Sequence, residues 1–178
     1  MVLGLIDVPA RDASVDMEIN GGCPLTYTSV NDSYYRLIST PQLPIDSFSQ
    51  CEGDLSGSTH LVAPDDAIEY ANVRDFVAGQ IPIGESVIVG AVQLPDQTAP
   101  DIGWLSITGG KLPAVWGPDQ PNDGGNAPLE RNKEQLAVLT VSANLMDVSN
   151  TPQGAVCECD RKPIDSSFRD TFTTMVMP

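Results

Sequence analysis

Four cysteines, Cys23, Cys51, Cys157 and Cys159, constrain this chain more than any other feature. No two of them form a Cys-x-x-Cys pair, and the sole histidine is His60, so the spacing of a structural zinc site is missing. An even count with one pair far apart in sequence points instead to a disulfide framework. The competing reading is a set of reduced, buried thiols. Disulfides would place the chain in an oxidising, extracellular setting.

The chain is 178 residues long, about the size of one domain, with 41% hydrophobic and 6% aromatic residues. A core is expected, and it must be built from Val, Ile, Leu and Ala. With 15 Gly and 15 Pro, much of the backbone must turn. The formal net charge of −15 rests on only 9 Lys and Arg. Phosphate backbones and anionic membrane surfaces would be repelled and are therefore not expected as partners. The longest apolar run, Val87 to Val92, falls far short of the roughly 18 residues that span a bilayer. The first residues do not form a secretory signal, so a secreted origin implies a removed leader or a module of a longer chain. Asn31-Asp32-Ser33 is a glycosylation sequon.

Periodicity predicts an α+β domain. Residues 1–20 read as an extended lead-in. Val30 to Ile38 reads as a strand broken by Pro41 and Pro44, followed by a short helix over 45–52 that ends at Gly53. Thr59 to Ala63 reads as a buried strand. The clearest helix runs over 65–78, with Asp66 as N-cap and Glu69 completing a capping box. Strands are expected over Ser86 to Leu94, Trp104 to Thr108, Leu136 to Val141 and Gly154 to Glu158. Residues 113–130 are rich in Pro, Gly, Asn and Asp and form no regular element, yet they contain Trp116. Residues 162–178 read as a C-terminal tail of uncertain order. Catalysis is not expected: no nucleophile elbow, phosphate loop or His-rich motif is present. His60 reads as a half-buried residue before a strand.

The stretch from Cys51 to Cys157 resembles the C-type lectin-like family. His60-Leu61-Val62 after Cys51, then the helix over 65–78, follow that family's order. Val87-Ile88-Val89-Gly90-Ala91 is similar to its Trp-Ile-Gly-Leu strand, without the Trp. Trp104-Leu105-Ser106-Ile107-Thr108-Gly109-Gly110 resembles its Trp-x-Trp-x-x-Gly turn. Trp116-Gly117-Pro118-Asp119-Gln120-Pro121-Asn122-Asp123 resembles the segment carrying its sugar-binding Glu-Pro-Asn or Gln-Pro-Asp triplet. Ala155-Val156-Cys157-Glu158 resembles its closing strand.

The resemblance implies a C-type lectin-like fold over residues 21–161, with two helices, antiparallel sheets and a long irregular ligand loop at 113–132. It implies Cys51–Cys157 and Cys23–Cys159 bridges, with Cys51–Cys159 as the alternative. It implies an extracellular module that binds glycan, with Ca2+ held by Gln120, Asn122, Glu130 and Asp147. Three departures matter. The family's loop disulfide is missing, its positions being Leu136 and Asn150. Met146 replaces an Asn ligand, and Gln120 replaces a Glu. The missing disulfide and Met146 favour the other reading, a calcium-independent protein-interaction or structural module, whereas the retained triplet at Gln120-Pro121-Asn122 favours glycan binding. Trp104 and Trp116 are expected under the loop as core residues.

Overall fold

The computed structural model describes residues 19–20, 22–82, 85–112, 115–124, 134–141 and 144–176. Ten strands and three helices follow one another among them: β1 (Ile19–Asn20), β2 (Cys23–Pro24), β3 (Thr28–Val30), β4 (Ser33–Gln42), α1 (Pro44–Asp54), β5 (Thr59–Leu61), α2 (Ala67–Val77), β6 (Ser86–Gln93), β7 (Trp104–Ser106), β8 (Leu136–Thr140), β9 (Leu145–Val148), β10 (Gln153–Cys159) and α3 (Ser166–Val176). The expected α+β class is what the chain adopts.

One sheet of eight strands carries the domain, in the order β3-β4-β10-β6-β8-β9, with β5 paired to β10 and β7 to β6. All pairings are antiparallel except β10 with β6, which run parallel. The sheet is therefore mixed rather than purely antiparallel. Both faces are covered, so β6 and β8 read as nearly continuous apolar runs instead of alternating ones. Alternation decides which core each residue joins. Ala155, Cys157 and Cys159 of β10 face one core with Phe48, Phe168 and Phe172. Val156 faces the other, with Tyr70, Val73 and Val77 of α2.

Both disulfides anchor on β10, as Cys51–Cys157 and Cys23–Cys159, with no free cysteine. In α2, Asp66 caps the first turn, its carboxylate accepting the Ile68 and Glu69 N–H groups at 2.8 Å each. Glu69 reaches back to the Asp65 N–H rather than to that of Asp66, so the box is displaced by one residue.

Several expectations change. The single strand at 30–38 is a hairpin: Asn31 takes φ 55° at the tip, and Val30 pairs with Ser33. Asn31 of the sequon stands exposed there. Pro41 does not end β4. Beyond Tyr35 the edge facing β3 is unpaired, and the β10 side slips register between Gln153 and Ala155, so the missing N–H removes no ladder bond. His60 is fully buried within β5 instead of half-buried before it. Residues 166–176 form α3, whose Phe168, Phe172 and Val176 are buried at helical spacing. Asp165 caps α3, accepting the Ser167 and Phe168 N–H groups at 2.9 and 3.1 Å. Arg169 holds Glu52 of α1 through two N–H donors at 2.9 and 2.6 Å. Residues 1–18 of the expected lead-in lie outside the described residues.

Gly90 is a steric requirement. A Cβ there would lie 2.5 Å from Ile107 Cγ2 and 2.9 Å from the Leu61 carbonyl oxygen. β6 passes this close because its N–H at Gly90 bonds the Val62 carbonyl at 2.7 Å, while its Gly90 carbonyl accepts Ile107 N–H at 2.8 Å.

Phe172→Ala will cost about 3–5 kcal/mol if α3 is part of the core. Urea denaturation measures it; a loss under about 1 kcal/mol would make the segment a peripheral tail. A second outcome concerns Glu158 of β10, which is fully buried. Burial, and after it the Glu69 and Asp160 carboxylates, push its carboxyl well above the usual range. An acid raised on folding adds no penalty below its unfolded value of about 4.3 and an increasing one as pH climbs from there towards its folded value. In chelator-treated buffer, Glu158→Gln will therefore flatten the fall in stability on that side of pH 4.3 and leave the protein more stable at neutral pH.

Candidate functional site

The described part of the long loop, 115–124, lies along β9. Gly117 N–H donates to the Leu145 carbonyl at 2.9 Å, and Leu145 N–H to the Val115 carbonyl at 3.0 Å. Trp116 and Leu145 thereby form an isolated bridge. The Asn144 side-chain amide adds a bond to the Trp116 carbonyl at 3.1 Å. A turn then closes from Gln120 N–H to the Gly117 carbonyl at 3.0 Å, with Asp119 at φ 60°. The Gln120–Pro121 peptide is cis.

Alternation along β9 aims Asp147 at this loop. Leu145 and Asp147 are buried on one face, whereas Met146 and Val148 pack on the core shared with α1 and α3. Met146, which stands where the resemblance places an Asn ligand, therefore serves packing. Asp147 is 3% exposed, and both carboxylate oxygens bond the loop backbone. Asn122 N–H is shared by both of its oxygens at 2.9 Å each, and Asp123 N–H meets Oδ2 at 2.5 Å. Asp147 N–H in turn donates to Gln120 Oε1 at 3.4 Å. Charge-assisted bonds of this kind are roughly twice as strong as neutral ones.

Three of the four expected ligands, Gln120, Asn122 and Asp147, are thus brought together. Glu130 lies outside the described residues. Asn122 Oδ1 accepts Gly124 N–H at 3.0 Å, forming a local turn. Two residues that the sequence reading did not single out take part. Asp123 is 7% exposed, sits at φ 58° and accepts Glu134 N–H at 3.3 Å, tying the loop to the strand that follows. Asn144 ties it to β9. The Asn-Asp-Gly run at 122–124 is a turn signature that flags Asp123; no local signal marks Asn144.

The donors here are all oxygens, the chemistry that Ca2+ prefers. Three protein side chains fall short of the six to eight oxygens this ion takes, so Glu130, water or a ligand's hydroxyls would have to complete its shell. Beside the loop, Trp104 and Trp116 are half-buried with ring centroids 4.8 Å apart and tilted by 50°. Trp104 Nε1–H donates to the Pro100 carbonyl at 2.8 Å. Both rings pack on the core shared with α2, as expected.

The arrangement of sheet, flanking helices, two disulfides onto β10 and a loop carrying Gln-Pro-Asn against an Asp on the neighbouring strand is the C-type lectin-like fold. Solved structures bear this out. The human scavenger receptor C-type lectin carbohydrate-recognition domain aligns at a TM-score of 0.61 with 21% identity over 78% of this chain and 98% of its own. The C-type lectin CEL-I of Cucumaria echinata aligns at 0.62 with 19% identity over 76% and 96%, and human lithostathine at 0.61 with 17% identity over 77% and 98%. No family model and no curated protein matches the sequence.

Asp147→Ala will cost about 2–3 kcal/mol, since it orphans the Asn122 and Asp123 N–H groups. Hydrogen exchange at those two amides will accelerate while the β10 amides stay protected. Unchanged exchange at both amides would show that the carboxylate does not hold the loop.

Proposed function

We propose that this chain is an extracellular recognition module that binds glycans through the 113–132 loop, with Ca2+ held by Gln120, Asn122, Glu130 and Asp147. The observation that carries this reading is the convergence of Gln120, Asn122 and Asp147 on one side of β9, where the buried Asp147 carboxylate accepts the Asn122 N–H and the Asp147 N–H donates to Gln120 Oε1. The human scavenger receptor carbohydrate-recognition domain among the structural neighbours supports the same reading, as does the cow CD23 domain solved with a GlcNAc2Man3 oligosaccharide. Two disulfides support an extracellular setting. Among the described residues no helix is long and apolar enough to cross a membrane.

Within this reading each residue has its own task. Asp147 fixes the backbone at 122–123. Asn122 and Gln120 present amide groups that both donate and accept, which suits vicinal hydroxyls. When bound, the ion would supply a Lewis-acidic centre to which such hydroxyls coordinate. The second reading, a calcium-independent protein-binding or structural module, is favoured by one feature: the loop already closes on its own hydrogen bonds through Asp147, Asn144 and Asp123.

Asn122→Ala separates the two, because it removes the side-chain oxygen but keeps the N–H that Asp147 grips. Under the first reading, calcium at a hundredfold excess over its dissociation constant stabilises the native chain by about 2.7 kcal/mol. Asn122→Ala abolishes that gain, and glycan-array binding is lost with chelator. A melting temperature unmoved by millimolar calcium or chelator, with no glycan bound, establishes the second reading.

A further inference from the structure

A second surface feature is built by the hairpin of β6 and β7. Gln93, the last residue of β6, pairs with Trp104, the first of β7. Gln93 is 1% exposed, and its side-chain amide donates to the Pro100 and Ile102 carbonyls at 2.9 Å each. A buried amide thus holds the backbone on either side of Asp101. Leu94 N–H closes the same connection on the Gly103 carbonyl at 2.8 Å. Asp101 is exposed, yet it stands on pinned backbone.

Asp101, Trp104, Lys111, Leu112 and Trp116 line a cleft of about 490 Å3. Small-molecule sites fall in the range of roughly 300–1,000 Å3. The core uses only part of each indole, since Trp104 and Trp116 are both half-buried. The Trp104 Nε1–H is already bound to the Pro100 carbonyl, which fixes the ring and leaves its carbon surface as what a ligand meets. Asp101 and Lys111 add one charge of each sign. Both are exposed, and among the described residues neither side chain has a hydrogen bond or an ion pair.

We propose that this cleft binds a pyranose ring of a neutral, β-linked glucosyl oligosaccharide, without calcium. In β-glucopyranose every ring hydroxyl is equatorial, so both faces of the sugar carry only axial C–H groups. Those faces are apolar and weakly positive, which matches the negative face of an indole. The hydroxyls around the sugar's edge then meet the Asp101 carboxylate, which only accepts, and the Lys111 ammonium, which only donates. A hydroxyl does both, so one ring serves both charges. The net charge of −15 repels acidic sugars and selects neutral ones. One stacked ring with two polar contacts corresponds to a Kd of about 1 mM. That is too weak to survive the washing of an array, so this contact is separate from the ion-dependent binding proposed for the loop.

The test is intrinsic tryptophan fluorescence of the full disulfide-bonded chain, titrated with cellotetraose in buffer containing chelator. The chain has 2 Trp, and both line the cleft, so the emission reports on this site. A saturable change with a Kd of about 1 mM is expected. Asp101→Ala and Lys111→Ala each weaken binding about tenfold. Both side chains are exposed, so loss of folding does not mimic that effect. Tetragalacturonate, of equal length but anionic, leaves the emission unchanged. An emission unmoved by about 20 mM cellotetraose, binding unaltered in both charge variants, or an equal response to tetragalacturonate would each overturn the proposal. A response that needs calcium and vanishes in Asn122→Ala would overturn it too, by assigning the sugar to the loop and leaving the loop reading intact.

Discussion

Strand β10 and the two bridges on it organise this molecule. Cys51–Cys157 links α1 to the sheet across 106 residues, and Cys23–Cys159 brings the start of the domain to the same strand across 136. In the chain-entropy picture a loop of about a hundred residues is worth roughly 4–5 kcal/mol once closed. The same seven residues pair with β4, β5 and β6, so three separate parts of the chain take their register from one strand. Alternation along it sorts the interior: cysteines towards α1 and α3, Val156 and Glu158 towards the side that carries α2.

That rigid frame explains how an irregular loop can be held without a disulfide of its own. Apart from the Trp116–Leu145 bridge, the described residues 115–124 enter no ladder, and their other backbone polar groups need partners from elsewhere. Part of the answer is a single buried carboxylate, Asp147, which takes two N–H groups that a strand would otherwise satisfy. At either side Asn144 donates to the Trp116 carbonyl and Asp123 accepts the Glu134 N–H. The polar atoms that hold the loop are thus also the ones that a ligand would meet. Under the proposed reading, shape and recognition would be coupled through the same few hydrogen bonds.

Much of the architecture was legible before any coordinates. The α2 cap at Asp66, the apolar run of β6, the helix around Cys51 and the triplet at 120–122 all carry local signals, because capping, side-chain period and turn chemistry act over a few residues. The misreadings share the opposite property. The hairpin at Asn31 looked like one strand because Val30 and Tyr34 are both good strand residues. Pro41 looked like a breaker because its tolerance depends on an unpaired edge and a slipped register. Strand β9 is four residues long and mixed in polarity. The segment after Arg161 did contain a signal, Asp165 followed by Phe168 and Phe172 at helical spacing.

Residue composition and order alone determined the net charge of −15, the four cysteines, the α+β pattern and the identity of the polar side chains in the loop. Only the tertiary structure decided what those side chains face. Asp147 meets Asn122 because β9 presents it on the loop side, and Met146, one residue earlier, is turned into the core. His60 meets Glu158 and Asp160, about a hundred residues away in sequence, because β5 and β10 align in one register. The physical reason is range. Propensity and capping are settled by neighbours along the chain, whereas burial, register and the convergence of charges depend on which distant strands come to lie side by side.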